Sequence, residues 1–207
     1  MLERTTVILC RHGNVDNPND ILYYRAVDVP LSAQGHEQMQ MLGQRLKRAG
    51  IQPEVIYASV LRRAVQSAEE IAKSFPGVEI IKIEDLQDPD APGIEKRTNS
   101  WLAEIEAEGH DVFSHPELKD TIETREHVAE RMMGVLALVL EKNRGETSIV
   151  VSHGDPTAFL RTKLREPEGE IPTVTDLKKR GMYLEKGQAL ELIFDSEGNF
   201  VEEKLVD

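Results

Sequence analysis

Two histidines in this 207-residue chain each follow directly on an apolar, β-branched stretch. His12 stands in Arg11-His12-Gly13 after Thr5–Cys10, and His153 stands in Ser152-His153-Gly154 after Ser148–Val151. A third short apolar stretch, Val55–Ala58, runs into Ser59-Val60-Leu61-Arg62-Arg63. A single histidine at a strand end is ordinarily a hydrogen-bonded structural residue, and an arginine pair on a helix is ordinarily a solvated face. These arginines, however, fall in the first turn of an expected helix, where the positive end of the macrodipole favours acids. A bound anion would remove that conflict. Phosphoryl transfer through a histidine nucleophile wants such a set. Neutral imidazole attacks phosphorus and holds the group covalently, dividing hydrolysis into two easier steps. The transferring group spreads its charge over three equatorial oxygens, so fixed cations around it do most of the catalytic work. The planar fork of arginine meets such oxygens bidentately.

The elements that must position these residues can be read from patterning. Thr5–Cys10 shows no alternation, as expected of a strand covered on both faces. Residues 11–30, rich in Asn, Asp and Pro, read as a long functional loop. Ser32 is expected to cap a helix with Met39, Leu42, Leu46 and Ala49 inward, ended by Gly50. Ser59 is expected to cap a second helix that carries Leu61, Ala64, Val65, Ala68, Ile71, Ala72 and Phe75 at helical spacing. Val78–Ile83 reads as a third strand, and no period holds from Glu84 to Ser100. A short helix over Trp101–Glu108, a long one from about Glu123 to Asn143 and one starting at Pro156 follow, the last because proline suits a first helical position. Gln188–Phe194 and Phe200–Val206 read as a closing hairpin through Ser196–Asn199. Strands alternating with helices imply an α/β three-layer sandwich with a mainly parallel central sheet, in a single domain spanning residues 1–207. Ligands bind such sheets at the carboxyl ends of their strands, where both histidines and the arginine pair fall.

Four separated segments, in order, resemble the histidine phosphatase superfamily with its phosphoglycerate-mutase-like fold. RHGNVDNP (11–18) resembles the family's Arg-His-Gly signature, and PLSAQGHEQ (30–38) its Pro-Leu-Ser/Thr-x-x-Gly-x-x-Gln segment. YASVLRRAVQSAEEIA (57–72) resembles its Ser-x-Leu-x-Arg-Ala-x-Gln-Thr-Ala helix, and IVVSHGDP (149–156) its second histidine. The resemblance implies a cofactor-free phosphatase acting on a small phosphorylated substrate, with His12 as the nucleophile that becomes phosphohistidine. It implies that Arg11 and Arg63, the latter rather than Arg62, clamp the phosphoryl oxygens. His153 would donate to the same group, with the Gly154 amide assisting, and Asn17 and Arg25 would add phosphate or substrate contacts. The family also uses a carboxyl group, usually glutamate, to protonate the leaving oxygen and later activate water. Here the chain departs from the usual pattern: Asp85, eight residues before Gly93, takes the acid's place, with Glu84 and Asp88 as the alternatives. Asn14-Val15 is a second departure, where Glu or Gln followed by Thr is common. The long glutamate-tyrosine-glycine segment of phosphoglycerate mutases is not evident, which makes mutase chemistry an alternative, as is a degenerate phospho-ligand binder.

Composition narrows the class further. The formal charge is −12, from 25 Lys and Arg against 37 Asp and Glu. That balance argues against nucleic acid or an anionic membrane as the main partner, since both need a basic face. At physiological salt the Debye length is about 8 Å, so an acidic body is compatible with a small positive pocket. Cys10, the one cysteine, fits a reducing compartment, and with no targeting segment or long apolar run the expectation is a cytoplasmic protein. No motif with metal-ligand spacing occurs.

Overall fold

The computed structural model describes residues 4–206. Its strands are β1 (Thr5–Arg11), β2 (Val55–Ser59), β3 (Glu79–Ile83), β4 (Thr147–Ser152), β5 (Ala189–Phe194) and β6 (Phe200–Leu205). They form one six-stranded sheet in the order β3-β2-β4-β1-β5-β6. β1, β2, β3 and β4 run parallel, whereas β5 and β6 join antiparallel at one side. The expected mixed α/β architecture is therefore present, and the closing hairpin supplies its antiparallel edge.

The period of the strands divides the apolar residues between two layers. Val7, Leu9, Tyr57 and Val150 pack to one side with Met132, Val135, Leu136 and Val139 of α4 (Arg125–Lys142). Ile8, Cys10, Ile56, Ala58, Ile149 and Val151 pack to the other with α1 (Ala33–Arg48) and α2 (Arg62–Ala72). Since both faces are covered, the central strands carry no polar alternation, which is why they read as continuous apolar runs. A third cluster lies over the carboxyl end of the sheet. It joins Leu22, Ile94, Val112 and Phe113 to Phe159 of α5 (Gly154–Arg165) and Leu177 of α6 (Val174–Lys179). α3 (Asn99–Ala107) adds Ile105 to it.

The local capping chemistry explains the boundaries. Ser32 Oγ accepts from the Gly35 amide at 3.1 Å, and Arg45, Lys47 and Arg48 sit in the last turn of α1, where the macrodipole favours cations. Gly50, at φ +81°, provides the left-handed stop. Two expected starts shift. α2 begins at Arg62 without a side-chain cap, because Ser59 closes β2 instead, and α5 begins at Gly154, two residues before Pro156. α6 was not expected from the sequence: at six residues it is too short to show an apolar period.

Candidate active site

Register brings the two histidines together. Arg11 pairs with Ser152 across β1 and β4, so the next residue on each strand leaves the sheet at the same level. The rings of His12 and His153 stand 5.1 Å apart, edge to face at 62°. On the other side of β4, Ala58 pairs with Val151, which carries Ser59 to His153; Ser59 Oγ lies 2.9 Å from His153 Nε2. Gly13 follows His12 because the chain there presses on α1: a Cβ at Gly13 would stand 2.6 Å from the Gly35 carbonyl oxygen.

His12 is buried, and its Nδ1 donates to the Gly13 carbonyl at 2.7 Å. A carbonyl only accepts, so Nδ1 holds the proton and the neutral ring keeps its lone pair on Nε2. Burial, then His153, Arg63 and Arg11, hold the His12 pKa well below the ordinary histidine value. His153 is lowered in the same direction, by burial first and by Arg63 and Arg11 next.

Arg63 is 1% exposed and its Nη2 donates to Asp88 Oδ2 at 2.5 Å and to the Tyr24 carbonyl at 2.7 Å. Its guanidinium also stands 4.7 Å from the centre of the Tyr23 ring. Arg62, by contrast, is exposed beside Asp28 at 3.6 Å. Arg11 donates through Nη1 to the Leu184 carbonyl at 2.8 Å and lies under Gly154, where a Cβ would stand 3.0 Å from Arg11 Cζ. Glycine there lets α5 begin directly against the guanidinium. Three buried donors at this point have no hydrogen-bond partner: Arg11 Nε, Arg63 Nε and His153 Nδ1. His153 Nδ1 approaches Asp88 Oδ2 to 3.2 Å without hydrogen-bond alignment.

The carboxylate beside this cluster is Asp88, and the placement expected for Asp85 is corrected. Glu84 and Asp85 are exposed on a single 3₁₀ turn, Glu84–Leu86, where the Asp85 carbonyl accepts from Arg131 Nη1 at 2.5 Å. Leu86 is drawn into the core beside β2 and β4, and the following turn brings Asp88 back over the histidines. The eight-residue spacing to Gly93 was the misleading signal; the leucine two residues before Asp88 was the informative one. Arg25 is likewise not at the phosphoryl cluster. Its Nε donates to the Asp88 carbonyl and its Nη2 to Glu123 Oε2 at 2.9 Å, so it braces the carboxylate's loop. Asn17 lines the cavity, but its side chain closes its own loop, donating to the Ile21 carbonyl at 2.9 Å and accepting from the Ile21 amide at 3.3 Å.

A cavity of about 430 Å³ opens from Arg11, His12, Asp88 and Gly154 toward the covering cluster. Its lining also includes Tyr24, Asp155, Tyr183 and Lys186, none of them singled out from sequence except as Asp155 follows His-Gly. Among the described residues no group of three or more His, Cys, Asp or Glu is arranged to hold a metal ion. Among the described residues no helix is long and apolar enough to cross a membrane.

Known proteins share both sequence and architecture with this chain. Over 172 residues it is 28% identical to the uncharacterized phosphatase PhoE of Bacillus subtilis, covering 81% of each chain. It is 28% identical over 156 residues to a metal-independent phosphoserine phosphatase of Arabidopsis thaliana, 73% of this chain and 65% of that one. Among solved structures, YhfR of Bacillus stearothermophilus superposes with a TM-score of 0.78 at 22% identity, over 95% of this chain and 94% of that one. A phosphoserine phosphatase of Entamoeba histolytica, in complex with 3-phosphoglyceric acid, gives 0.73 at 22% identity over 98% and 97%. The family model for branch 1 of the histidine phosphatases matches residues 7–175, and the chain belongs to the histidine phosphatase superfamily.

Proposed function

We propose that this protein is a metal-independent phosphatase that hydrolyses a small phosphomonoester through a phosphohistidine at His12. The observation that carries the reading is the cluster of orphaned donors, Arg11 Nε, Arg63 Nε and His153 Nδ1, around the proton-free Nε2 of a neutral imidazole. Burying an unpaired donor costs about 1–3 kcal/mol, more for a charged group, and phosphoryl oxygens would satisfy all three at once. In the first step His12 Nε2 forms a bond to phosphorus, the bond from phosphorus to the leaving oxygen breaks, and Asp88 passes its proton to that oxygen. In the second, water attacks the phosphohistidine, the N–P bond breaks, and Asp88 takes the proton from water. Inorganic phosphate and the free alcohol are the products. In this reading His153 carries its proton on Nδ1, toward the phosphoryl group, with Nε2 accepting from the Ser59 hydroxyl 2.9 Å away. The incoming phosphoryl group also competes with Asp88 for Arg63, so substrate itself frees the acid from its ion pair.

p-Nitrophenyl phosphate tests this reading. Wild-type protein should turn it over in the presence of EDTA, and His12→Ala should lose about 10⁴-fold or more in kcat while remaining folded. Full activity in His12→Ala would overturn the assignment. A 2,3-bisphosphoglycerate-dependent phosphoglycerate mutase of Clavibacter sepedonicus is 44% identical over 68 residues, a third of this chain. That local likeness keeps mutase transfer as a second reading, which a coupled assay for interconversion of 2- and 3-phosphoglycerate would separate.

A further inference from the structure

Most buried carboxylates among the described residues are paired with cations. Glu70, for one, meets Lys73 at 2.6 Å and His36 at 2.9 Å. Glu95 Oε2, buried without a partner, lies outside the cavity that His12 lines. Asp88 meets Arg63 at 2.5 Å, Asp111 meets Arg125 at 2.6 Å, and Glu203 meets Arg161 and Arg165 at 2.6 and 2.5 Å. Glu123 is held between Arg25 at 2.9 Å and Arg131 at 2.8 Å. Asp155 lines the same cavity as His12 and has no cation within ion-pair distance among the described residues. Its Oδ1 accepts from the Tyr183 hydroxyl, and the Tyr24 hydroxyl is its second neighbour. Both partners are neutral, so they orient the carboxyl without cancelling its charge.

Tyr24 is itself constrained. It occupies the left-handed region at φ +38°, an uncommon conformation for a bulky residue, and its carbonyl accepts from Arg63. One residue therefore joins the phosphoryl clamp through its backbone to Asp155 through its phenol. The Tyr183 hydroxyl orients Asp155, and the Tyr24 phenol stands near it.

We propose that Asp155, aimed by Tyr183 and Tyr24, determines substrate choice by binding an ammonium group on the alcohol portion of the phosphomonoester. The inference rests on the phosphatase reading and names the substrate class within it. Of the cations lining the cavity, Lys178 is held by Glu106 at 2.6 Å, and Arg11 and Lys186 lie toward the phosphoryl end. When a phosphoryl dianion takes up the charge of Arg11, Asp155 faces an anionic neighbourhood with only two phenols for support. A hydroxyl on the substrate would leave that charge standing, whereas an ammonium cancels it and reduces the net charge of the ligand.

Titration supplies a signature that a purely structural carboxyl would not give. Burial pushes Asp155 up to about 6; Asp88 raises it further, and Tyr183, Tyr24 and Arg11 oppose the rise. An ammonium binds the ionised form, so preference for it is present above that value and is lost as pH falls through it. The ammonium lowers the second ionisation of its own phosphate below that of n-propyl phosphate, so each affinity is referred to that ligand's dianion before the ratio is taken.

The test compares O-phosphoethanolamine with n-propyl phosphate, a ligand of similar length that lacks the charge, by calorimetric binding to His12→Ala protein. At about pH 7.5 the ammonium ligand should bind about tenfold more tightly, and His12→Ala/Asp155→Asn protein should bind the two alike. In His12→Ala alone the preference should fade below about pH 6, a measurement that needs no further substitution. Equal affinities at about pH 7.5, or a preference that survives Asp155→Asn, would overturn the proposal. Turnover of p-nitrophenyl phosphate by the wild type reports separately on the phosphatase reading.

Discussion

The phosphoryl cluster draws on two regions that are held in place by different forces. Arg11, His12 and His153 leave adjacent parallel strands, and Arg63 leaves the helix that follows the next strand, so backbone register sets their spacing. Asp88 comes from the covering region, where no ladder reaches. There a chain of charges does the positioning: Arg25 holds the Asp88 carbonyl, Glu123 holds Arg25, and Arg131 holds Glu123 and the Asp85 carbonyl. Hydrogen-bonded strands locate a side chain through many shared constraints. A charge chain locates it through a few strong links, each removable by one substitution. The difference teaches that the placement of His12 should survive local damage better than that of Asp88.

Substitutions can break that contrast, and next to His12→Ala the largest effect is expected at Asp88. Asp88→Asn should lower kcat about 10³-fold with an alkyl phosphate, whose leaving oxygen needs a proton, and far less with p-nitrophenyl phosphate, while changing KM little. Asp85→Asn, on the exposed turn, should stay within about twofold of wild type. A reversed result would return the acid's role to Asp85. Glu123→Gln comes next, since Glu123 is only 6% exposed and its loss strands Arg25 and Arg131. Breaking a buried pair in this way costs about 3 kcal/mol, read as a lower denaturation midpoint in urea, and kcat should fall about tenfold as Asp88 loses its brace. Unchanged kcat would show that the charge chain does not position the acid. Among substitutions at the site itself, Gly154→Ala is expected to have the smallest effect. The added methyl would stand 3.0 Å from Arg11 Cζ, so Arg11 must shift; KM should rise several-fold, about 1 kcal/mol, with little change in stability.

The same contrast explains what could be read before any coordinates. Thr5–Cys10 and Ser148–Val151 announce themselves as strands because burial on both faces demands continuous apolar side chains. His12 and His153 directly follow them, so their place at the sheet's edge comes with the strands. Arg63 was distinguishable from Arg62 by its neighbour Ala64, and burial separates them as expected: one lies in the cluster, the other in solvent. Ser59 reads as a helix cap from sequence but its hydroxyl meets His153, since a side chain that can cap can equally meet a neighbour on the adjacent strand. Asp85 and Asp88 differ by three residues in a segment with no period, and nothing local says which way a 3₁₀ turn will face.

Sequence alone determined the layering of strands and helices, the edge on which chemistry falls, and the identity of the histidine and arginine residues gathered there, because each depends on local pattern and short-range backbone geometry. Tertiary structure decided which carboxylate reaches the histidines, that Arg25 braces a loop, and that Asp155 meets the Tyr183 phenol with no cation in ion-pair reach among the described residues. Those outcomes depend on contacts between residues as far apart as Arg25 and Glu123, whose meeting is set by the packing of whole elements.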